Sequence, residues 1–287
     1  MDGRADTLAG LPPASAFAAR VAQAGDQRLA QGVAALVAQL ARLIAEAQLT
    51  RDDMRAILAF LTEVGETCSE QRQEWVLLAD TLGLTSAVEA QMAQRPAGAT
   101  PNTLPGPFYR PDAPMRADGE SISLDAKGGP LTLRAEVVDL DGQPVPGAQV
   151  EVWQANADGL YENQEPDQQP EYNLRGLYRT DAAGRVTIRT VRPAGYPIPA
   201  DGPVGRLMAR LGIALDRPAH IHVRITAPGF QRLTTHVFDA SDPAIDRDPL
   251  FAVHPALLAT FDPAPKGGFT CAFRFVLARA RPGADAQ

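Results

Sequence analysis

The sequence predicts an α+β fold in which a helical N-terminal domain, residues 1–100, precedes an antiparallel β-sandwich, residues 101–287. The prediction depends on a change of hydrophobic period, from helical spacing before about residue 94 to alternation beyond residue 130. A Pro- and Gly-rich stretch, residues 95–114, lies between the two patterns and is typical of a linker. Short strands punctuated by Gly and Pro favour a sandwich or barrel over a parallel α/β sheet.

Three helices are expected in the N-terminal domain. The first has apolar residues at i, i+3, i+4 and i+7 across residues 33–44. The second begins after Thr50, an N-cap residue, with two aspartates in its first turn where the helix dipole favours anions. The third runs from about residue 69 to 82, and Gly83 stands at its C-cap.

Alternating apolar residues predict the strands of the second domain. Leu131 to Val137 form one strand, Asp141-Gly142 supplies a turn, and Val150 and Val152 belong to the next strand. We expect two further hairpins, the second turning at Pro228-Gly229. They pair residues 177–179 with 186–189, and residues 220–225 with 233–238.

Composition limits the classes of function. The formal net charge of −7, without a basic stripe, argues against a nucleic-acid partner. No run of 18 apolar residues occurs, so no membrane span is predicted. Residues 1–13 lack the apolar core of a signal peptide, and two lone cysteines, Cys68 and Cys271, fit a reducing compartment. We therefore expect a cytoplasmic protein.

Two histidines, His220 and His222, stand one residue apart in an apolar segment. Residues i and i+2 of a strand point to the same face, so both imidazoles can reach one metal ion. Neutral imidazole suits iron, copper, zinc and nickel alike, and an isolated pair of this kind is more often incidental. Tyr161 and Tyr196 precede the pair, and tyrosinate is a hard anionic donor. Two Tyr and two His therefore predict a four-ligand ferric site.

Four sequence blocks surround these residues in a fixed order. They are Leu104-Pro-Gly-Pro-Phe-Tyr109, the segment 141–156 followed by Gly159-Leu-Tyr161, Arg192-Pro-Ala-Gly-Tyr196, and Arg217-Pro-Ala-His-Ile-His222. The blocks resemble those of the intradiol ring-cleaving dioxygenases, non-haem Fe(III) enzymes that cleave catechols between the two hydroxyls. The resemblance spans about residues 34–259. Segments 71–83, 197–205 and 233–238 are most similar to hydroxyquinol 1,2-dioxygenases, whereas Pro105 and segment 242–246 depart from the family pattern.

The resemblance implies one Fe(III) per subunit and a role for each ligand. Tyr161 and His220 would be equatorial ligands, and Tyr196 and His222 axial ones. Tyr196 would leave the metal when substrate binds and accept a proton. Arg217 would stabilise the negative charge that develops on the substrate ring, as an always-charged guanidinium can.

A substrate pocket is also implied by the resemblance. Asp80 would accept a hydrogen bond from a third ring hydroxyl, unless it is a carboxylate on the helix surface. His236 would contact the substrate or Arg217, or else be a packing residue. The remaining tyrosines, Tyr109, Tyr172 and Tyr178, are expected to pack with satisfied hydroxyls. The implied pocket residues are Leu77, Asp80, Leu104, Gly106, Pro107, Phe108, Ile198, Pro199, Arg217, His236 and Leu250.

The expected reaction is cleavage of hydroxyquinol by O2 to 3-hydroxy-cis,cis-muconate or maleylacetate. Catechol or chlorocatechol 1,2-dioxygenase activity, giving cis,cis-muconates, is the alternative. A non-enzymatic β-sandwich binding module and a zinc hydrolase are further alternatives, and both would be colourless. The resemblance also implies a homodimer through the N-terminal helices, with a phospholipid as a possible passenger.

Overall fold

The computed structural model describes residues 12–69, 72–93 and 95–280, so the prediction about a signal peptide at the N-terminus lies outside the described residues. The backbone forms two compact units, Met1–Glu66 and Thr67–Gln287. Sequence periodicity placed the domain boundary at residue 100. The two helices at residues 74–81 and 84–93 fall in the second compact unit, together with the β-sheets.

The first unit contains three helices, α1 (Pro12–Val21), α2 (Gln27–Glu46) and α3 (Arg51–Thr67). Thr50 and Asp53 exchange hydrogen bonds at the start of α3. The Thr50 amide donates to Asp53 Oδ2 at 2.8 Å, and the Asp53 amide donates to Thr50 Oγ1 at 3.2 Å. These bonds satisfy amides that a helix start leaves unpaired, and Thr50 is the N-cap that the sequence predicts.

Helix α2 has an apolar face that is open to solvent. Its large apolar residues Leu29, Leu36, Leu40, Leu43 and Ile44 are 41–62% exposed. By length and composition, α2 is the described helix that is long and apolar enough to cross a membrane. The search for an unbroken run of 18 apolar residues did not detect α2, because polar residues interrupt its apolar sequence. Those at positions 28, 31, 39, 42 and 46 fall on one side, which makes α2 amphipathic.

The second unit combines three helices with eleven strands among the described residues. The helices are α4 (Glu74–Thr81), α5 (Leu84–Ala93) and α6 (Pro203–Leu211). The strands are β1 (Pro130–Asp139), β2 (Gln149–Gln154), β3 (Arg175–Arg179), β4 (Arg185–Val191), β5 (Tyr196–Pro197), β6 (Asp216–Arg217), β7 (His220–Thr226), β8 (Leu233–Asp239), β9 (Leu258–Ala259), β10 (Asp262–Pro263) and β11 (Phe269–Leu277).

The strands form two larger sheets, with orders β10-β11-β1-β4 and β3-β2-β7-β8-β9, and a small β5-β6 pair. Both larger sheets are mixed, because β1 pairs with β11 and β8 pairs with β9 in parallel. The prediction of a purely antiparallel sandwich is wrong in this respect. Alternation reports which face of a strand is buried, but it does not report strand direction.

One of the two expected hairpins is confirmed. Strands β7 and β8 pair antiparallel, with Gly229 at φ +80° in their connection. The predicted pairing of β3 with β4 is wrong, because β3 pairs with β2 in one sheet and β4 with β1 in the other. The connection between them crosses from sheet to sheet, so two adjacent strands with a turn sequence are not a hairpin here.

A large apolar cluster lies between the two larger sheets. It includes Leu133 and Val137 of β1 together with Val152 of β2 and Val223 of β7, all 0% exposed. Each such side chain contributes roughly 1.5–3 kcal/mol by its removal from water. This core fixes β2, β7 and β8, the strands from which the candidate site projects.

Candidate metal centre

Adjacent strands bring the predicted ligands together. His220 and His222 are both buried on β7, and His222 lies opposite His236 of β8 in the strand register. The β5-β6 pair places Tyr196 opposite Arg217, three residues before His220. Tyr161 follows β2 and is buried, whereas Tyr196 is half-buried.

Three imidazoles form the centre of the site. One ligand nitrogen from each of His220, His222 and His236 lies within 4.8 Å of the other two. His220 Nδ1 is 2.7 Å from the Pro218 carbonyl, which assigns the proton to Nδ1 and makes Nε2 the nitrogen that could bind a metal. Burial lowers the pKa of all three histidines well below its ordinary value, and nearby Arg217 acts in the same direction. Neutral imidazoles are the form that binds a metal.

The phenol of Tyr161 completes the arrangement with Tyr196. Their ring centroids are 5.8 Å apart, and the Tyr196 ring lies 5.5 Å from that of His220. Burial raises the pKa of Tyr161 well above its ordinary value, and the neighbouring Tyr196 phenol adds to this, whereas Arg217 opposes it. The Tyr161 hydroxyl has no hydrogen-bond partner among the described residues. An unpaired buried hydroxyl costs about 1–3 kcal/mol, which a bound cation would offset.

The donor atoms fit the predicted ferric ion. Besides the Tyr161 hydroxyl, His222 Nδ1 and His236 Nε2 are buried without a partner in the described part of the chain. Buried polar atoms are rarely left unpaired unless a ligand, an ion or water reaches them. Fe(III) accepts hard oxygen donors such as phenolates and intermediate donors such as neutral imidazoles. The site offers two phenols and at least two neutral imidazoles close together.

Arg217 is buried beside the predicted ligands Tyr196 and His220. Its Nη1 lies 3.5 Å from Tyr196 Oη and 3.4 Å from His220 Nε2. Burial opposes its charged form, but the Tyr196 phenol and Asp248 raise the pKa of Arg217 above its ordinary value. A fixed positive charge therefore stands next to the Tyr196 hydroxyl and the His220 imidazole.

Asp248 is a site residue that sequence reasoning missed. It accepts hydrogen bonds from Arg217 Nε at 3.2 Å and from the Ala252 amide at 3.0 Å. The first bond spans 31 residues and reaches a loop. No motif spacing connects the two positions, so only the tertiary fold shows the pair.

Two residues of the 104–109 block contact the ligands directly. Gly106 has φ +69°, and a Cβ at this position would lie 3.3 Å from His222 Cε1. Glycine is needed here for the left-handed backbone and for the close approach to the imidazole. The Phe108 ring stacks on Tyr161 with centroids 4.4 Å apart. Both residues are thus brought to the site.

The other predicted pocket residues differ in exposure. Leu104, Ile198 and Leu250 are buried in the cluster between the sheets, and Leu77 packs against it. Pro107 and Pro199 are exposed.

Asp80 on α4 is a buried carboxylate, 6% exposed, and not a helix-surface group. Burial raises its pKa, while a hydrogen bond with Thr85 and the charge of Arg217 oppose the increase. Its Oδ1 has no partner among the described residues. One carboxylate oxygen is therefore available to an incoming hydroxyl donor.

His236 is fixed from one side by a residue that the sequence did not single out. Thr103 Oγ1 lies 2.5 Å from His236 Nδ1, and both residues are buried. The His236 ring centroid is 4.2 Å from that of His222. His236, which the sequence predicts in the pocket, is thus a third imidazole in contact with the predicted ligand pair, because it lies opposite His222 in the strand register.

The tyrosines expected to pack have their own acceptors. Tyr109 donates to Glu151 Oε2 at 3.1 Å, Tyr172 to Asp112 Oδ2 at 2.6 Å, and Tyr178 to the Glu120 carbonyl at 2.9 Å. The thiol of Cys271 is buried and free.

Comparisons with known proteins agree with this geometry. Residues 104–279 match the family model of the dioxygenases, and residues 26–100 match that of the catechol dioxygenase N terminus. Hydroxyquinol 1,2-dioxygenase of Rhizobium sp. (strain MTP-10005) is 42% identical over 243 residues, 85% of this chain and 82% of the relative.

Two solved structures extend the comparison to the fold. Hydroxyquinol 1,2-dioxygenase from Pseudomonas putida DLL-E4 superposes with a TM-score of 0.91 at 35% identity, covering 96% of this chain and 99% of that one. Catechol 1,2-dioxygenase from Acinetobacter sp. ADP1 gives a TM-score of 0.79 at 28% identity, with coverages of 99% and 96%. Together with the clustered Tyr and His side chains, these matches show that the chain belongs to the intradiol ring-cleavage dioxygenase family.

Proposed function

We propose that this protein cleaves hydroxyquinol, 1,2,4-trihydroxybenzene, with O2 to give 3-hydroxy-cis,cis-muconate, a tautomer of maleylacetate. The observation that carries the proposal is a cluster of two phenols and three imidazoles next to the buried guanidinium of Arg217. Within it, the Tyr161 hydroxyl, His222 Nδ1 and His236 Nε2 are buried without a partner among the described residues. Relatives named as hydroxyquinol 1,2-dioxygenases support the choice of substrate.

Tyr161, Tyr196, His220 and His222 would hold one Fe(III) per subunit. When bound, the ferric ion supplies Lewis acidity and activates the coordinated diol toward O2. Two phenolates would neutralise two of its three charges, which favours the ferric over the ferrous state. The buried, partnerless Tyr161 hydroxyl supports a permanent ligand role for that residue.

Tyr196 is suited to accept a proton from the substrate. It is half-buried where Tyr161 is fully buried, and its hydroxyl lies 3.5 Å from Arg217 Nη1. A hydroxyl of the incoming diol would give its proton to the Tyr196 oxygen, so Tyr196 would hold that proton as a neutral phenol beside Arg217. Arg217 remains in place and stabilises the negative charge that develops on the ring carbon.

Asp80 would select hydroxyquinol over catechol. Its unpaired, buried Oδ1 can accept the third hydroxyl, whereas catechol would leave that oxygen unsatisfied. Sites built to hydrogen-bond a substrate group discriminate strongly against analogues that lack it. The walls would be Leu77, Leu104, Gly106, Pro107, Phe108, Ile198, Pro199 and Leu250. His236 would contribute Nε2 as a further hydrogen-bonding group.

Oxygen uptake by the ferric-reconstituted protein tests the proposal. Hydroxyquinol should be consumed with one O2 per ring, and the product should absorb as a muconate or maleylacetate. The protein should be red, because tyrosinate-to-iron charge transfer absorbs visible light. Catechol as the better substrate would favour the alternative 1,2-dioxygenase activity. A colourless protein that stays inert after loading with iron would reject both.

The helices of residues 1–100 would form a homodimer in the cytoplasm. The exposed apolar face of α2 supports this, because five large apolar side chains on one helix face require a partner surface. A phospholipid in the same interface would be a passenger that covers part of this face.

A further inference from the structure

Arg175, at the first position of β3, is a buried cation that the proposed reaction leaves without a role. Its side chain is 1% exposed, and its Nε donates to Glu162 Oε1 at 2.7 Å. Its Nη1 donates to the Phe108 carbonyl at 2.6 Å. Burying this charge is costly unless its partners are fixed in good geometry, so the bridge is a specific feature of the fold.

Both partners of Arg175 flank the phenol of Tyr161. Glu162 is the next residue in the chain, and the Phe108 ring stacks on the Tyr161 ring with an interplanar angle of 23°. Arg175 Cζ lies 5.9 Å from the centroid of the Tyr161 ring. The guanidinium thus fixes the groups on either side of this phenol.

The same strands connect the bridge with the imidazoles. Trp153 of β2 lies opposite Arg175 on one side and opposite His222 on the other. Its indole stacks on the His222 ring at 4.8 Å with an interplanar angle of 8°. A displacement at Arg175 would therefore reach two of the proposed ligands.

We propose that Arg175 is a positioning residue: by bridging the Phe108 carbonyl and the Glu162 carboxylate, it sets the orientation of the Tyr161 ring toward the metal. The inference rests on the proposed function, since Tyr161 is a ligand only if the site binds Fe(III). The planar fork of arginine is required, because a lysine ammonium is a point charge that does not span both acceptors in fixed geometry.

The test compares Arg175→Lys with the matched control Arg279→Lys. Arg279 also pairs with a largely buried carboxylate, Asp139 of β1, at 2.8 Å, although its own side chain is 66% exposed. In Arg175→Lys we expect the visible tyrosinate-to-iron band of the ferric protein to shift. We also expect kcat to fall about 10–100-fold, the usual effect of losing a group that orients a ligand. Arg279→Lys should keep both the wild-type band and the wild-type kcat.

A wild-type band and kcat in a folded Arg175→Lys protein would overturn the inference, even if its melting temperature were lower. If Arg175→Lys does not fold, Glu162→Ala tests the same bridge by removing one of its two acceptors. An unshifted band in that variant would also overturn it. Failure of the wild-type protein to develop any band with ferric iron would instead reject the proposed function itself.

Discussion

Arg217 and Asp248 form a buried ion pair at the edge of the candidate metal centre, with Nε and Oδ1 3.2 Å apart and both side chains 2% exposed. Asp248 also accepts the amides of Leu250 and Ala252, so one carboxylate fixes both the guanidinium and the adjoining loop. The charge proposed to act on the substrate is therefore held through Arg217 Nε, while Nη1 lies near Tyr196 and His220.

Asp248→Asn should weaken this hold on Arg217. Replacing the carboxylate by an amide removes the negative charge that pairs with Arg217. Breaking a buried ion pair costs about 3–5 kcal/mol of stability. We expect kcat on hydroxyquinol to fall roughly 10–100-fold, as for other groups that orient a functional residue. Steady-state kinetics and thermal unfolding check this, with the exposed Asp246→Asn as control. Unchanged kcat in the Asp248 variant would contradict the role.

Gly106→Ala should disturb His222. The new Cβ would lie 3.3 Å from His222 Cε1 on a backbone with φ +69°, so the variant combines steric conflict with strain of about 1–2 kcal/mol. We expect less iron per chain after reconstitution. Gly142→Ala is the matched control, because Gly142 has φ +75° and open space around a Cβ. Equal iron contents in the two variants would contradict a role for the close approach of Gly106 to His222.

Asp80→Ala should lower activity on hydroxyquinol more than on catechol. The buried Oδ1 would bond the third hydroxyl, and catechol has none. We expect a roughly tenfold change in the ratio of the two kcat/KM values, equal to about 1.4 kcal/mol. Catechol serves as the internal control for folding. Equal losses on both substrates would remove the specificity role of Asp80.

The metal-free protein should lose stability as the pH falls below about 6.5, the usual histidine value. Burial lowers the pKa of His220, His222 and His236 in the folded state, so the unfolded chain binds more protons in this range. Each imidazole contributes up to about 1.4 kcal/mol per pH unit. Urea unfolding between pH 7.5 and 5.5 measures the slope, which His236→Gln should reduce. A slope that is the same in the variant would exclude His236 from this set.

Leu36→Glu on α2 should dissociate the proposed homodimer. A charge in the middle of the exposed apolar face would have to be buried in the interface. Gln39→Glu, on the polar side of the same helix, is the control and should remain dimeric. Analytical ultracentrifugation distinguishes the two. A Leu36 variant with the association state of the wild type would place the interface elsewhere.

Particular elements show how far sequence reasoning reaches. The Thr50 cap, the strand β1 and the hairpin of β7 and β8 were all predicted, because each depends on residues within a few positions of one another. The wrong hairpin between β3 and β4 has the same origin. A local turn sequence carries no information about distant strands, and here β3 pairs with β2 and β4 pairs with β1.

By itself, the sequence determined which donors were available: two imidazoles on one face of a strand, two tyrosines in family motifs, and an arginine three residues before the first histidine. Tertiary structure alone decided the rest. Asp248 contacts Arg217 across 31 residues of sequence, and Thr103 contacts His236 across 133. Arg175 contacts Phe108 across 67 residues. Their contacts exist only once the core between the sheets has fixed β2, β7 and β8 side by side, because contacts between distant segments depend on packing and not on spacing along the chain.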